Sequence, residues 1–270
     1  MEGLGTWRGW HMEGRWVEVG DRVLARRHAE LDLTTGLVLG EERALVVDTR
    51  GDVRQGAELA RAVRAVTPLP LVVAITHAHF DHCFGTAAFL PCPVHAHPRC
   101  RAALAATAAG QSAEWAQYYR DRGDDVTAQA LGATEAVLPD APAPATLDLG
   151  GRHVELLHLG RGHTDHDVLA RVPDAGVVFA GDLVEQGAPP SIGEDSDLAA
   201  WPRTLTALLA LAPRVVVPGH GDPVDGAFVA GQRDTLAEVA ALHAAVTAGE
   251  LDAGEAAARS PVPGVPWARR

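Results

Sequence analysis

The chain has 270 residues, 47% of them hydrophobic, and a net charge of −12. This length and apolar content suit one large domain or two small ones with a sizeable core, and they exclude global disorder. All 23 basic residues are arginine and none forms a basic run, so the chain lacks the positive footprint that nucleic-acid phosphates demand.

The opening "MEGLGTWRGWHMEGRW" alternates polar residues, glycine and tryptophan and has no apolar signal-peptide core. "RVLARRH" and "TTGLVLG" read as short strands, and "RALVVDT" as a third, ending at Asp48. Apolar residues at helical spacing predict a helix over residues 53–66. "LVVAIT" is the next strand, rich in β-branched residues. "CFGTAAFL" suits a helix and "PVHAH" a short strand. The Ala-rich stretch 98–134 is predicted helical, and "LPDAPAPAT" is a Pro-rich connector. "TLDL", a Gly150-Gly151 turn and "HVELLHL" read as a hairpin, followed by the strands "DVLARV" and "GVVFAGD". A helix over 198–211 leads to the strand "RVVVPG". A last helix, 224 to about 246, precedes a polar, Ala- and Pro-rich tail. The order falls into two halves, each a strand meander followed by helix–strand units. The expected organisation is one domain over 1–270 with mixed α and β layers and a helical insertion at about 98–134.

The chemistry concentrates in "ITHAHFDH", where an apolar run meets three histidines and a carboxylate. In extended backbone His77 and His79 face one side. Asp81 and His82 follow where the strand gives way to a helix, and a bend lets neighbours point into one pocket. A helix through the whole stretch would instead pair His77 with Asp81 and His79 with His82. The β-branched run before His77 and Gly85 just after the cluster argue against it. Burying this many polar side chains is costly without a cation, and neutral imidazoles with a carboxylate are donors that zinc and similar metals prefer. Downstream, His163 in "GRGHTDHD", Asp182 in "VFAGDLV" and His220 in "VVVPGHGDP" each follow an apolar strand. Such positions converge on one edge of a sheet, where α/β folds commonly hold their sites.

Asp48, "THAHFDH", His163 in "GHT", Asp182 in "AGD" and His220 in "PGHGD" together resemble the five ordered motifs of the metallo-β-lactamase superfamily. The resemblance spans Asp48 to His220 and implies a four-layer αββα sandwich with metals at one edge. It implies that His77, His79 and His163 hold a first metal, that Asp81, His82 and His220 hold a second, and that Asp182 bridges them. Two zinc ions are expected, with iron or manganese as the alternatives. Asp48 would sit behind a ligand histidine and orient it, unless it merely closes a turn. The implied reaction is hydrolysis by a hydroxide held between the metals, with Asp81 as the proton-handling catalytic group. An Asp at 182 resembles the glyoxalase II-like thioesterases and the lactonases, and counts against β-lactam hydrolysis as the main activity. The expectation is a dinuclear hydrolase of a small ester, thioester or lactone. The alternatives are a persulfide dioxygenase-like enzyme with one iron on His77, His163 and Asp182, or a weak β-lactam hydrolase.

The remaining features carry less. His95 and His97 repeat the HxH spacing without a nearby carboxylate and read as structural or surface residues. His166 either lines the pocket or is a solvated loop histidine. His11, His28, His153, His158 and His243 have no context that singles them out. Segment 99–131 fits a lid in which Trp115, Tyr118 and Tyr119 supply an apolar wall, with ordinary helix packing as the alternative. "EQGAPPSIGEDSD" is the other expected wall. Cys83, Cys92 and Cys100 are odd in number and lack CxxC spacing, so they read as small buried thiols of a reduced compartment. No apolar run reaches membrane-spanning length. The chain is therefore expected to be cytoplasmic, acting on a small molecule, with no membrane or nucleic-acid partner.

Overall fold

The computed structural model describes residues 14–267. Most of the opening glycine- and tryptophan-rich stretch, with His11, lies outside the described residues. The first sheet contains β1 (Trp16–Gly20), β2 (Val23–Arg27), β3 (Thr34–Leu39), β4 (Ala44–Val47), β5 (Leu71–Ala74), β6 (Val94–Ala96) and β7 (Ala141–Pro142), in that spatial order. Its first four strands are antiparallel neighbours, and β4 through β7 run parallel. The second sheet has β8 (Thr146–Asp148), β9 (His153–Leu157), β10 (Leu169–Val172), β11 (Val177–Glu185) and β12 (Val215–His220), neighbours in sequence order. Only its β11–β12 pairing is parallel.

Strand periodicity explains the layering. Along β4, Leu45 and Val47 point into a core shared with Val154, Leu156, Phe179 and Val217 of the second sheet. Ala44 and Val46 point to the other face, against Leu59 and Val63 of helix α1 (Val53–Val66). Both faces are buried, which is why this segment reads as an unbroken apolar run. The outer face of the second sheet packs Val178, Ala180 and Val216 against Trp201, Leu205 and Leu208 of a helix at Trp201–Ala210, and against Leu236 and Val239 of another at Gly226–Ala248. Each fully buried Val or Leu contributes about 1.5–3 kcal/mol. The result is an αββα sandwich. Asp52 starts α1 by accepting from the N–H groups of Arg54 and Gln55.

The other helices, numbered in chain order, are α2 (Phe80–Cys83), α3 (Pro98–Asp121), α4 (Asp125–Gly132), α5 (the helix that begins at Trp201), α6 (the one that begins at Gly226) and α7 (Ala253–Arg259). Among the described residues no helix is long and apolar enough to cross a membrane. Four elements differ from the sequence expectation. "CFGTAAFL" forms a tight 3-10 turn over Phe84–Phe89. Gly85 there packs on Thr49 and Gly56 so closely that a Cβ would lie 2.0 Å from the Thr49 oxygen. β1 and α7 form where the sequence reading placed no element. Two residues of the Pro-rich connector pair with β6 as β7. Cys83 and Cys100 are buried as expected, whereas Cys92 is half-buried.

Candidate metal centre

Strand ends bring the polar side chains together on one edge. Asp48 follows β4 with a left-handed φ of 62°, a conformation that Asp tolerates better than most residues. After β5 the backbone stays irregular from Ile75, and α2 begins one residue past His79. The stretch is therefore neither all strand nor all helix: His77 and His79 precede the turn, and Asp81 and His82 lie on it. His163 occupies the loop after β9, and His220 ends β12.

Asp182 departs from the expectation that it follows a strand, because β11 continues through it to Glu185. The pairing with β12 slips just before it, between Phe179 and Gly181, and again across it, between Gly181 and Glu185. Irregularities of this kind re-aim a side chain. Gly219 makes room for the result, since a Cβ there would sit 1.8 Å from Asp182 Oδ1.

Seven side chains meet in two groups: His77, His79, His163 and Asp182 in one, Asp81, His82 and His220 in the other. In the first, His79 Nδ1 lies 3.1 Å from His77 Nε2 and 2.9 Å from His163 Nε2. Asp182 Oδ2 is 3.7 Å from His77 Nε2 and 3.5 Å from His163 Nε2. In the second, His82 Nε2 and His220 Nε2 are 3.4 Å apart. Asp81 Oδ2 is 3.7 Å from the former and 3.4 Å from the latter. Asp182 also reaches this group, with Oδ1 3.1 Å from His82 Nε2 and Oδ2 3.3 Å from His220 Nε2. Tetrahedral zinc with ligands at about 2.1 Å spaces them roughly 3.4 Å apart, which is the spacing found.

The outer nitrogens settle which atoms face inward. The Thr76 hydroxyl donates to Asp48 Oδ2 at 2.8 Å and so accepts from His77 Nδ1–H at 3.0 Å. His82 Nδ1–H donates to Asp48 Oδ2 at 2.8 Å. His163 Nδ1–H donates to the Ser191 carbonyl at 3.1 Å, and His220 Nδ1–H to the Leu31 carbonyl at 2.7 Å. His79 is turned round: its Nε2–H donates to Asp195 at 2.9 Å. All five histidines thus direct their second nitrogen at their neighbours, and nitrogens this close repel as neutral lone pairs unless a cation stands between them. Asp182 Oδ1 is buried and makes no hydrogen bond, so it too suits a cation. Burial lowers His77 and brings His163 down to about 4, in keeping with neutral donor imidazoles. At His79, His82 and His220 burial is outweighed by neighbouring carboxylates, which raise them, so in those three a proton takes the place that a cation would fill. Burial works to raise Asp182, but the adjacent His82, His220 and His77 hold it well below the usual carboxylate range. The residues present fit a two-ion centre.

A cavity of about 1200 Å³ opens over this edge. Ala103, Thr107, Gln111 and Trp115, on one face of α3, form one wall, and the loop carrying Ser191 and Asp195 forms another. Trp115 lines the cavity and stacks on Phe80 at 4.5 Å. Tyr118 and Tyr119 do not line it, which corrects the sequence expectation. They lie one turn beyond Trp115 on the same side of α3 and pack against its ring, at centroid distances of 4.9 and 6.4 Å, rather than along the cavity wall. Tyr119 is buried and its hydroxyl donates to Glu30, while Arg122 lies 3.4 Å over the Tyr118 ring. His166 lines the cavity with both nitrogens engaged, Nε2 accepting from Ala78 N–H at 3.2 Å and Nδ1–H donating to Asp165 at 2.8 Å. His97 caps α3, accepting from Arg99 N–H, and His95 bonds the Pro142 carbonyl.

Sequence reasoning missed three residues here. Gln111 clamps the metal-edge loop, donating to the Ala78 carbonyl at 2.9 Å and accepting from Phe80 N–H at 2.8 Å. Thr76 links Asp48 to His77. Asp195, noticed only as part of a loop, holds His79. A hydroxyl beside the HxH motif was the one legible signal among them.

The profile of the family described as Metallo-beta-lactamase superfamily matches residues 30–220. A metallo-beta-lactamase type 2 of Bacteroides fragilis is 37% identical over 81 residues, which are 28% of this chain and 32% of that protein, so the match spans about a third of that relative. The acyl-coenzyme A thioesterase MBLAC2 of Gallus gallus is 27% identical over 203 residues, covering 68% of this chain and 70% of that one. The solved structure of a metallo-beta-lactamase from Pontibacter korlensis superimposes with a TM-score of 0.62 at 21% identity, covering 83% of this chain and 98% of the other, and shares its fold.

Proposed function

The chain belongs to the metallo-β-lactamase superfamily and is one of its hydrolases, and on that premise we propose that it is a dinuclear metal-dependent hydrolase of a small ester, thioester or lactone. The double ligand set supports this most: two groups of donors share Asp182, and every histidine's outer nitrogen is already occupied. Imidazole and carboxylate donors suit zinc, with iron or manganese next. His77, His79 and His163 would hold one ion, Asp81, His82 and His220 the other, and Asp182 both. The two ions would supply an acidified water and a polarised acyl carbonyl.

The chain's own residues do the rest. Asp81 lines the cavity with Oδ2 turned to His220, and its other carboxylate oxygen would accept the attacking water's proton and pass it to the leaving group. Asp48 and Thr76 keep His82 and His77 in the tautomer that leaves their inner nitrogens free. Trp115, Ala103 and Leu31 give the acyl chain an apolar wall. The thioesterase relative supports the thioester arm, and an Asp at 182 counts against β-lactam hydrolysis as the main activity. The single-iron alternative would leave Asp81, His82 and His220 without a task.

Metal analysis after supplementation, with an ester, thioester and lactone panel, tests the reading. Two ions per chain and turnover of one class are expected, both lost in His79→Ala. No bound metal, or activity unchanged by His79→Ala, would overturn it.

A further inference from the structure

The segment between β5, which ends at Ala74, and α2, which begins at Phe80, carries His77 and His79 and leads into Asp81 and His82. It belongs to neither element, so its backbone polar groups need other partners. Asp48 accepts from Thr76 N–H, and Val168 N–H donates to the Thr76 carbonyl at 2.9 Å. The next three peptide units are each held by a side chain. Ala78 N–H donates to His166 Nε2 at 3.2 Å, the Ala78 carbonyl accepts from Gln111 Nε2 at 2.9 Å, and Phe80 N–H donates to Gln111 Oε1 at 2.8 Å.

Both side chains are themselves fixed. Gln111 Nε2 also donates to the Thr107 hydroxyl at 2.9 Å, and that hydroxyl donates to the Ala103 carbonyl at 2.9 Å. The amide therefore sits only one way round, with its nitrogen toward Ala78 and its oxygen toward Phe80. His166 is buried, and its Nδ1–H donates to Asp165 at 2.8 Å, which leaves Nε2 as the acceptor. Asp165 pairs in turn with Arg99 in the first turn of α3. Both grips lead back to α3, the helix that walls the cavity. Three held peptide planes in a row fix the backbone torsions of Ala78 and His79. Those torsions set the distance from His77 to His79 and the point where the chain turns toward Asp81. His79 depends on them most. Its side chain is 30% exposed, against 15% or less for the other four ligand histidines, so packing does least to place it.

We propose that Gln111 and His166 are positioning residues of the metal centre. Neither is a ligand. Together they fix the backbone from His77 to Phe80 and tie a segment that serves both donor groups to α3. This role rests on the two-ion reading above.

The test compares three variants of the full chain. Gln111→Met keeps the side chain's length but loses both bonds to the segment. His166→Leu removes the acceptor, and His166→Gln supplies an amide oxygen in its place. In the metal-free protein, amide hydrogen exchange read by nuclear magnetic resonance should quicken about five- to tenfold at Phe80 in Gln111→Met and at Ala78 in His166→Leu, as the loss of one hydrogen bond of ordinary strength implies. Loaded with cobalt, both variants should show an altered visible absorption and bind the metal about tenfold more weakly in chelator competition. His166→Gln should stay within about threefold of wild type. Gln111 is only half-buried, so its variant decides the question if His166→Leu does not fold. An unchanged cobalt spectrum and affinity in Gln111→Met, with or without faster exchange, would overturn the positioning role while the two-ion reading stands. So would a His166→Gln that binds cobalt no better than Gln111→Met. A wild-type chain that takes up neither cobalt nor zinc would overturn the two-ion reading, and the positioning role with it.

Discussion

Exchanging Asp48 for asparagine replaces one oxygen by an amide nitrogen, yet it should disturb both halves of the metal centre. Asp48 is 2% exposed. Its Oδ1 accepts from Thr76 N–H, and its Oδ2 accepts from both the Thr76 hydroxyl and His82 Nδ1–H, each at 2.8 Å. An asparagine that keeps the Oδ1 bond points its NH₂ at two donors, and one that flips loses the backbone bond instead. Two hydrogen bonds to a buried carboxylate are lost, at about 1.5–3 kcal/mol each, for a total of about 3–6 kcal/mol. The lower end applies if the Thr76 hydroxyl reverses to accept from the amide. It would then donate to His77 Nδ1 and push that ring's proton inward, where a ligand lone pair is needed. Metal affinity should fall about 10–100-fold, the usual cost of losing an outer partner of a ligand histidine. The metal-free protein should melt roughly 6–12 °C lower for the first 3 kcal/mol. Chelator competition measures the affinity and circular dichroism the melting. An affinity within about threefold of wild type and a melting point within about 2 °C would refute the claim that Asp48 organises both groups.

Gly219→Ala should detach Asp182 from its position, because the new Cβ meets Oδ1 at 1.8 Å and the Gly181 and Asp182 backbone at 2.9 and 3.0 Å. Bound metal should drop to one ion or fewer with far-ultraviolet dichroism retained, and two ions at full occupancy would contradict this. Trp115→Ala should raise KM several-fold with metal content constant, read by steady-state kinetics and metal analysis, whereas lost metal would make the ring structural. Burial raises all three thiol pKa values, that of Cys100 up to about 12, so iodoacetamide at pH 8 should label only half-buried Cys92 in the native state and all three after denaturation, as counted by mass spectrometry.

The fold and the proposed ligands were legible for a common reason. Strands buried on both faces read as apolar runs, and a histidine or aspartate at the end of such a run stands out. Leu45 to Val47 and Leu71 to Ala74 show the first, and His77 and His220 the second. What escaped the sequence depends on contacts made at a distance. The Leu31 and Ser191 carbonyls that orient His220 and His163 belong to backbone, which carries no residue signal. Asp195 lies far along the chain from His79, in a loop with several acidic residues and no feature that singles one out. The slip in β11 that turns Asp182 inward comes from pairing with β12 and from Gly219. The 3-10 turn after α2 is tight because Gly85 and Gly56 let two backbones touch, a tertiary constraint that overrides local helix preference. Tyr118 and Tyr119 share the Trp115 side of α3, but the turn they occupy is taken up by Glu30 and Arg122, distant contacts that the sequence does not announce.

Anomalous diffraction from a crystal of metal-supplemented protein tests the central claim most directly. The account predicts two peaks, one among His77, His79 and His163, the other among Asp81, His82 and His220, with Asp182 between them. A single peak, or peaks away from these side chains, would contradict it.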